Sequence, residues 1–220
     1  MNVLIIGANG RIGQHLVRKL QESDKHMPIA MVRKEEQKVR LEQQGVKTAL
    51  VDLEGNINDI TNSVKEADAI VFTAGSGGHT GADKTMLIDL DGAIKSMKAA
   101  EQADVKRFII VSGIGVNRLH DNNYLKGKGT SPSYYSVAKY YADVWLERSS
   151  LDYTIIRPGQ LTNAPETGKV NVAEDLEHKH ISREDVAAAI IASLENDQTI
   201  GKSFDITDGD TPIEEALRKL

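Results

Sequence analysis

Two residue types that can exchange a proton stand four apart in the segment "SYYSVAKYY" at positions 133–141. On a helix, Tyr135 and Lys139 would share a face, with about 5–6 Å between their Cβ atoms. An ammonium beside a phenol favours the phenolate and lowers a pKa that is otherwise near about 10. Such a pair can give or take a proton in a reaction. The same stretch holds four of the six tyrosines in the chain. Val137, Tyr141, Val144 and Trp145 also recur there at helical spacing, so an aromatic core or interface stripe is the competing reading.

The elements that would position such a pair follow a regular rhythm. Short apolar runs at 3–6, 29–32, 47–51, 69–72, 108–111 and 153–156 read as strands. Amphipathic stretches at 11–22, 35–44, 57–65, 82–103 and 133–149 read as the helices between them. Unbroken apolar strands suit a parallel sheet covered on both faces, and this alternation predicts an α/β, doubly wound parallel sheet of the Rossmann kind. Beyond 156 the rhythm loosens in "RPGQLTNAPETGKVNV". Next comes a helix capped by Ser182 with Glu184 and Asp185 in its first turn, then a strand at 203–206 and a short terminal helix. The 220 residues therefore read as one domain, 1–220, whose C-terminal part from about 157 to 220 contributes to a substrate pocket.

"VLIIGANGRIG" places Gly7, Gly10 and Gly13 between the first strand and the first helix. Gly7 permits the turn, Gly10 lets the backbone approach a diphosphate, and Gly13 lets the helix pack close to the sheet. The helix N-terminus then presents free N–H groups to that anion. Strand, loop and helix arrive in the order that a nucleotide site requires. Arg33 follows the second strand, twenty positions after Gly13. A carboxylate near that point would accept bonds from the ribose of NAD; a guanidinium grips a 2′-phosphate instead. NADP is therefore expected over NAD, with Arg11 and Lys34 as further positive charges.

The spacing Gly-x-x-Gly-x-x-Gly, with "SGIGV" after the fifth strand, "YSVAK" opening the next helix and "IIRPG" ending the sixth, resembles the atypical short-chain dehydrogenases/reductases. The resemblance is to their NAD(P)H-binding, NmrA-like and biliverdin-reductase-B-like group, and it runs from residue 3 to about 208. It implies that Asn9 and Ile12 also belong to the cofactor loop, and that Asp52 and Leu53 lie by the adenine. It places Thr73, Ala74 and Gly75 by the ribose, and Pro158 beside the nicotinamide. Tyr135 and Lys139 match the Tyr-x-x-x-Lys motif. Ser112 stands where the partner serine orients a substrate carbonyl and contacts the cofactor, and Lys139 would also hold the nicotinamide ribose.

The formal net charge of −5 argues against a nucleic-acid surface, and the absence of cysteine excludes disulfides and thiol chemistry. No apolar run approaches a membrane span. The run at 3–7 is too short for a signal segment, so a cytoplasmic location is expected. His79 and His120 are loop residues that would assist proton transfer or lie in solvent. His178 and His180 lack companions at metal-ligand spacing, and no metal is expected. Segments 75–84 and 117–129 read as a flap over the site and as a lid or partner-binding loop. The leading expectation is an NADP(H)-dependent oxidoreductase acting on a small carbonyl, quinone or flavin-like acceptor. A non-catalytic NmrA-like NADP sensor with a protein partner is the alternative, followed by a sugar-nucleotide epimerase or dehydratase. The aromatic helix leaves a homodimer open.

Overall fold

The computed structural model describes residues 1–78, 80–124 and 132–220. His79 and residues 125–129 of the expected lid lie outside the described residues. Its main element is a nine-stranded sheet. β1 (Asn2–Ile6) leads through α1 (Arg11–Gln21) to β2 (Met27–Val32), and through α2 (Glu35–Gln43) to β3 (Lys47–Leu50). α3 (Ile57–Val64) returns the chain across β1 to β4 (Ala69–Phe72). One long helical run follows: α4 (Ala82–Lys84), a π-helical stretch (Thr85–Gly92) and α5 (Ala93–Gln102). It is followed by β5 (Arg107–Val111), α6 (Tyr134–Glu147) and β6 (Asp152–Pro158). The C-terminal part adds β7 (Gln160–Thr162), β8 (Lys169–Ala173), β9 (His180–Ser182), α7 (Arg183–Leu194), β10 (Lys202–Asp208), β11 (Thr211–Pro212) and α8 (Ile213–Leu217).

The sheet order is β11-β8-β10-β6-β5-β4-β1-β2-β3. From β3 to β10 every pairing is parallel; β8 and then β11 join the other edge antiparallel. A separate two-stranded ribbon pairs β7 with β9. The six strands expected from apolar runs are present to within about two residues at each end, while β7, β8, β9 and β11 arise in the stretch whose rhythm loosens.

Successive strand residues point to opposite faces, and here both faces are covered. Val3 and Ile5 of β1 pack with Leu16 and Leu20 of α1 and Val186 and Ile190 of α7. Leu4 and Ile6 pack on the other side with Ile60 of α3, Met97 of α5 and Leu146 of α6. All of these lie in strands or helices read from the sequence, and each is fully buried. Burial of one such side chain is worth roughly 1.5–3 kcal/mol.

Of the two readings of the aromatic stripe, core or interface, the core reading is corrected. On α6 the face turned inward is Ala138, Lys139, Ala142, Asp143 and Leu146, whereas Tyr141 and Trp145 are exposed. The buried charges are tolerated because each finds an opposite charge from another element. Lys139 meets Asp89, and Asp143 receives a 2.9 Å bond from Arg157 Nε.

Candidate active site

β1 and β4 are neighbours, yet the chain leaves them in opposite directions across the sheet. A crevice opens at such a point beyond the carboxyl ends of the strands. Here it is a cavity of about 940 Å³. Every cofactor and catalytic residue expected from the sequence lines it except Gly13, Lys34 and Pro158.

The floor is the β1–α1 turn. Gly7 has φ 94°, a left-handed conformation that disfavours any side chain, and a Cβ there would stand 2.6 Å from the Ala74 backbone nitrogen. The Gly10 N–H closes the turn on the Gly7 carbonyl at 2.8 Å. A Cβ on Gly13 would stand 2.3 Å from the Gly7 carbonyl oxygen, so Gly13 serves the helix–turn contact and does not reach the cavity. α1 starts at Gly10 with no side-chain cap and no acidic residue in its first turn. Its N–H groups are therefore available to an anion at the cavity floor.

Two expected residues turn away from the cavity. Lys34 precedes α2 and pairs with Glu36 at 3.4 Å, in the open. Pro158 is buried, and its carbonyl accepts the Ile114 N–H at 3.0 Å. Arg33 stays exposed on the cavity wall at the end of β2. From α2, Arg40 Nη2 donates to Asn9 Oδ1 and fixes that loop side chain at 2.5 Å.

The opposite wall carries Ser112, Tyr134, Tyr135 and Lys139. Ser133 caps α6, its hydroxyl accepting the Ser136 N–H at 3.1 Å, so the helix starts where Tyr135 meets the cavity. The Tyr135 hydroxyl comes within 3.7 Å of where a Gly113 Cβ would stand, next to Ser112. Lys139 Nζ lies 5.9 Å from the Tyr135 ring centroid and donates to the Val111 carbonyl at 3.2 Å. It also stands 3.3 Å from Asp89 Oδ1, and both side chains are almost wholly buried. Burial disfavours the ammonium, but Tyr135 and Asp89 outweigh it and hold the Lys139 pKa above its ordinary value.

Asp89 was not foreseen. It sits in the π-helical stretch, within the otherwise apolar "MLIDL", and its Oδ2 accepts the Ser76 N–H at 2.9 Å. One carboxylate thus links Lys139 to the glycine-rich segment expected as a flap. A single acid in an apolar run was the available signal. A π-helical insertion is a frequent companion of functional sites.

Behind the pair, Asp143 faces Arg157, Lys139 and Ser112. Burial pushes its carboxyl up to about 6, partly offset by Arg157. Ser112 Oγ is buried and makes no hydrogen bond of normal geometry within the protein, although it lies near enough to Asp143 to help hold that carboxyl down. An unpaired buried hydroxyl on a cavity wall is a group waiting for a ligand acceptor or donor.

Other expected residues fall elsewhere. His120 packs edge-on to Tyr140, with centroids 4.9 Å apart, away from the cavity. His178 Nε2 meets the Tyr124 hydroxyl at 2.8 Å, and Arg118 pairs with Asp175 at 2.5 Å. The described part of the expected lid is therefore fastened to the segment before β9. Among the described residues no group of three or more His, Cys, Asp or Glu side chains is placed to hold a metal. None of their helices is long and apolar enough to cross a membrane.

The doubly wound sheet, with its glycine turn at the switch point, defines a dinucleotide-binding protein of Rossmann type. The chain belongs to the NAD(P)H-binding family, whose model matches residues 7–197, and its fold is that of the atypical short-chain dehydrogenases/reductases. It is 54% identical over 221 residues to a Bacillus subtilis protein named as an uncharacterized sugar epimerase, covering both chains completely. A solved Bacillus halodurans structure, provisionally named an NAD-dependent epimerase/dehydratase, is 43% identical, with a TM-score of 0.88 and full coverage of both chains. The Lactococcus lactis oxidoreductase ylbE is 33% identical, with a TM-score of 0.83 over 100% of this chain and 96% of that one.

Proposed function

We propose that the protein is an NADP(H)-dependent oxidoreductase that reduces a small carbonyl, quinone or flavin-like acceptor. The observation that carries this reading is the convergence of Ser112, Tyr135 and the buried ammonium of Lys139 on one wall of the cavity that the glycine turn floors. A nicotinamide dinucleotide bound there supplies hydride. The free N–H groups at the start of α1 hold a diphosphate, and the exposed guanidinium of Arg33 meets a 2′-phosphate. The unpaired Ser112 hydroxyl donates to the acceptor oxygen. The Tyr135 hydroxyl delivers the proton that this oxygen takes up, and Lys139, kept charged by Asp89, favours the phenolate left behind.

The name of the Lactococcus lactis relative supports an oxidoreductase, whereas the other two relatives' names favour sugar epimerisation as a second reading. The two differ in outcome: a reductase consumes NADPH with an acceptor, and an epimerase converts a nucleotide sugar with no net change in the dinucleotide. Purified protein is assayed with NADPH against aldehydes, quinones and flavins, and separately with nucleotide sugars. Tyr135→Phe is expected to bind NADPH normally and to lose about 100-fold or more in turnover. If no acceptor consumes NADPH in the wild type, the reductase reading is wrong. A partner whose affinity follows the dinucleotide would then speak for a sensor.

A further inference from the structure

Behind Ser112 the strand register sets a buried acid that the proton transfer above does not use. β5 and β6 pair Val111 with Ile156, so the next residues, Ser112 and Arg157, stand side by side and point to one face of the sheet. That face is covered by α6, whose inward side presents Lys139 and Asp143. Ser112, Asp143 and Arg157 are each at most 4% exposed. Arg157 Nε donates to Asp143 Oδ2 at 2.9 Å and so occupies one carboxyl oxygen. The other, Oδ1, and Ser112 Oγ are both buried without a hydrogen bond of normal geometry among the described residues, and their side chains lie within reach of each other. Which of the two donates depends on a single proton.

The surrounding charges favour keeping that proton. Arg157 serves more than one acid: Glu147 of α6 stands 3.6 Å from its Nη2, and Asp205, fully buried, is its neighbour in register on β10. Arg118 and Asp175 lie beyond Asp205. Lys139 also faces Asp143, but Asp89 of the π-helical stretch draws that ammonium at 3.3 Å. Three carboxylates, two of them buried, thus share one guanidinium. Burial pushes the Asp143 carboxyl up to about 6, with Arg157 opposing it.

We propose that Asp143 is a positioning residue whose protonation sets the direction of the Ser112 hydroxyl, and with it the kind of ligand oxygen that the cavity accepts. Ionised, Oδ1 accepts the Ser112 O–H and turns the serine lone pairs to the cavity, where they suit a ligand hydroxyl. Protonated, Oδ1 donates to Ser112 Oγ and frees the serine O–H for a carbonyl oxygen. The identity of the ligand rests on the reductase reading. On that reading, reduction of a carbonyl is favoured below about pH 6 and binding of the product alcohol above it.

The test follows the Asp143 carboxyl by carbon-13 NMR in wild type and Ser112→Ala, with thermal unfolding as the check on folding. The serine donor bonds the ionised form more strongly than the neutral one, so its loss is expected to raise the midpoint by about one pH unit. The kcat/KM for NADPH-dependent reduction is then read from about pH 5 to about pH 8 in wild type and Asp143→Asn. Wild type should fall about tenfold as pH rises through about 6. The asparagine amide donates at every pH, so Asp143→Asn should flatten that fall. A merely structural role would lower stability or rate without moving the pH dependence. An unchanged midpoint in Ser112→Ala, or a folded Asp143→Asn that keeps the wild-type fall, overturns the proposal. Should Asp143→Asn not fold, the Ser112→Ala midpoint decides alone. Wild type that consumes no NADPH with any acceptor, while the Ser112→Ala midpoint rises, refutes the reductase reading and leaves the control of Ser112 by Asp143 standing.

Discussion

The half of the sheet from β1 to β4 and the C-terminal part from β7 to α8 meet at one cavity, but they are held together in different ways. The first is built on backbone. Its turn works because Gly7, Gly10 and Gly13 carry no side chains, and its central strands β1 and β4 bury apolar runs. The second is built on polar side chains. Asp185, fully buried, accepts the Thr167 N–H at 3.1 Å, the Gly168 N–H at 2.8 Å and the Ser182 hydroxyl at 2.8 Å, and so ties the β7–β8 connection to α7. Asp205 on β10 accepts the Leu176 N–H at 3.1 Å and fastens the segment before β9. A rigid backbone cradle suits the part of a ligand common to all reactions; side-chain ties suit a region whose shape sets the rest of the pocket.

The largest expected effect breaks the first region. Gly13→Val puts a branched side chain where even a Cβ would collide with the Gly7 carbonyl oxygen and Ala8 Cα, neither of which can yield. NADPH affinity should fall at least about 100-fold and stability by about 3 kcal/mol or more, read by titration and denaturant unfolding. A variant with wild-type affinity would show that the turn is not the cradle.

Asp185→Ala should act on the second region. The buried Ser182 hydroxyl and the part-buried Thr167 and Gly168 N–H groups lose their acceptor, at a cost of about 1–3 kcal/mol. Amide exchange should quicken at Thr167 and Gly168 while the β1–α1 turn keeps its protection. Equal loss of protection in both regions would mean that the two are one cooperative unit, against the contrast drawn here.

A smaller effect is a matter of pH. Burial raises the Asp205 carboxyl to about 6 and that of Asp143 likewise, whereas both are near about 4 in an unfolded chain. The native state therefore holds these protons between about pH 4 and pH 6 while the unfolded state has released them. Their contribution to stability is full below about 4 and is lost as pH rises through about 6. Asp205→Asn does not titrate, so its melting temperature should rise relative to wild type as pH goes from about 4 to about 7. A constant difference across that range would refute the assignment.

The same contrast explains what could be read from the sequence. Backbone devices leave local marks, so the strands of the nucleotide half, its three glycines and Arg33 were legible from order and spacing alone. Ser182 and its helix were legible too, because a cap is a local bond. The short strands β7, β8, β9 and β11 were not, because their pairing depends on partners distant in the chain and their residues are largely polar. Asp89 looks like an ordinary helix residue until the fold sets it against Lys139. Tyr141 and Trp145 misled for the same reason. Hydrophobic spacing suggests a core or interface stripe, but ion pairs from β6 and the π-helical stretch allow Lys139 and Asp143 to take the core face.

The most direct test of the account is calorimetric titration of the folded protein and its Arg33→Gln variant with NADPH and NADH. Wild type should bind NADPH about tenfold or more tightly than NADH, and the variant should lose that preference through weaker NADPH binding alone. Wild type that binds neither dinucleotide, or an Arg33→Gln variant that keeps the preference unchanged, would contradict it.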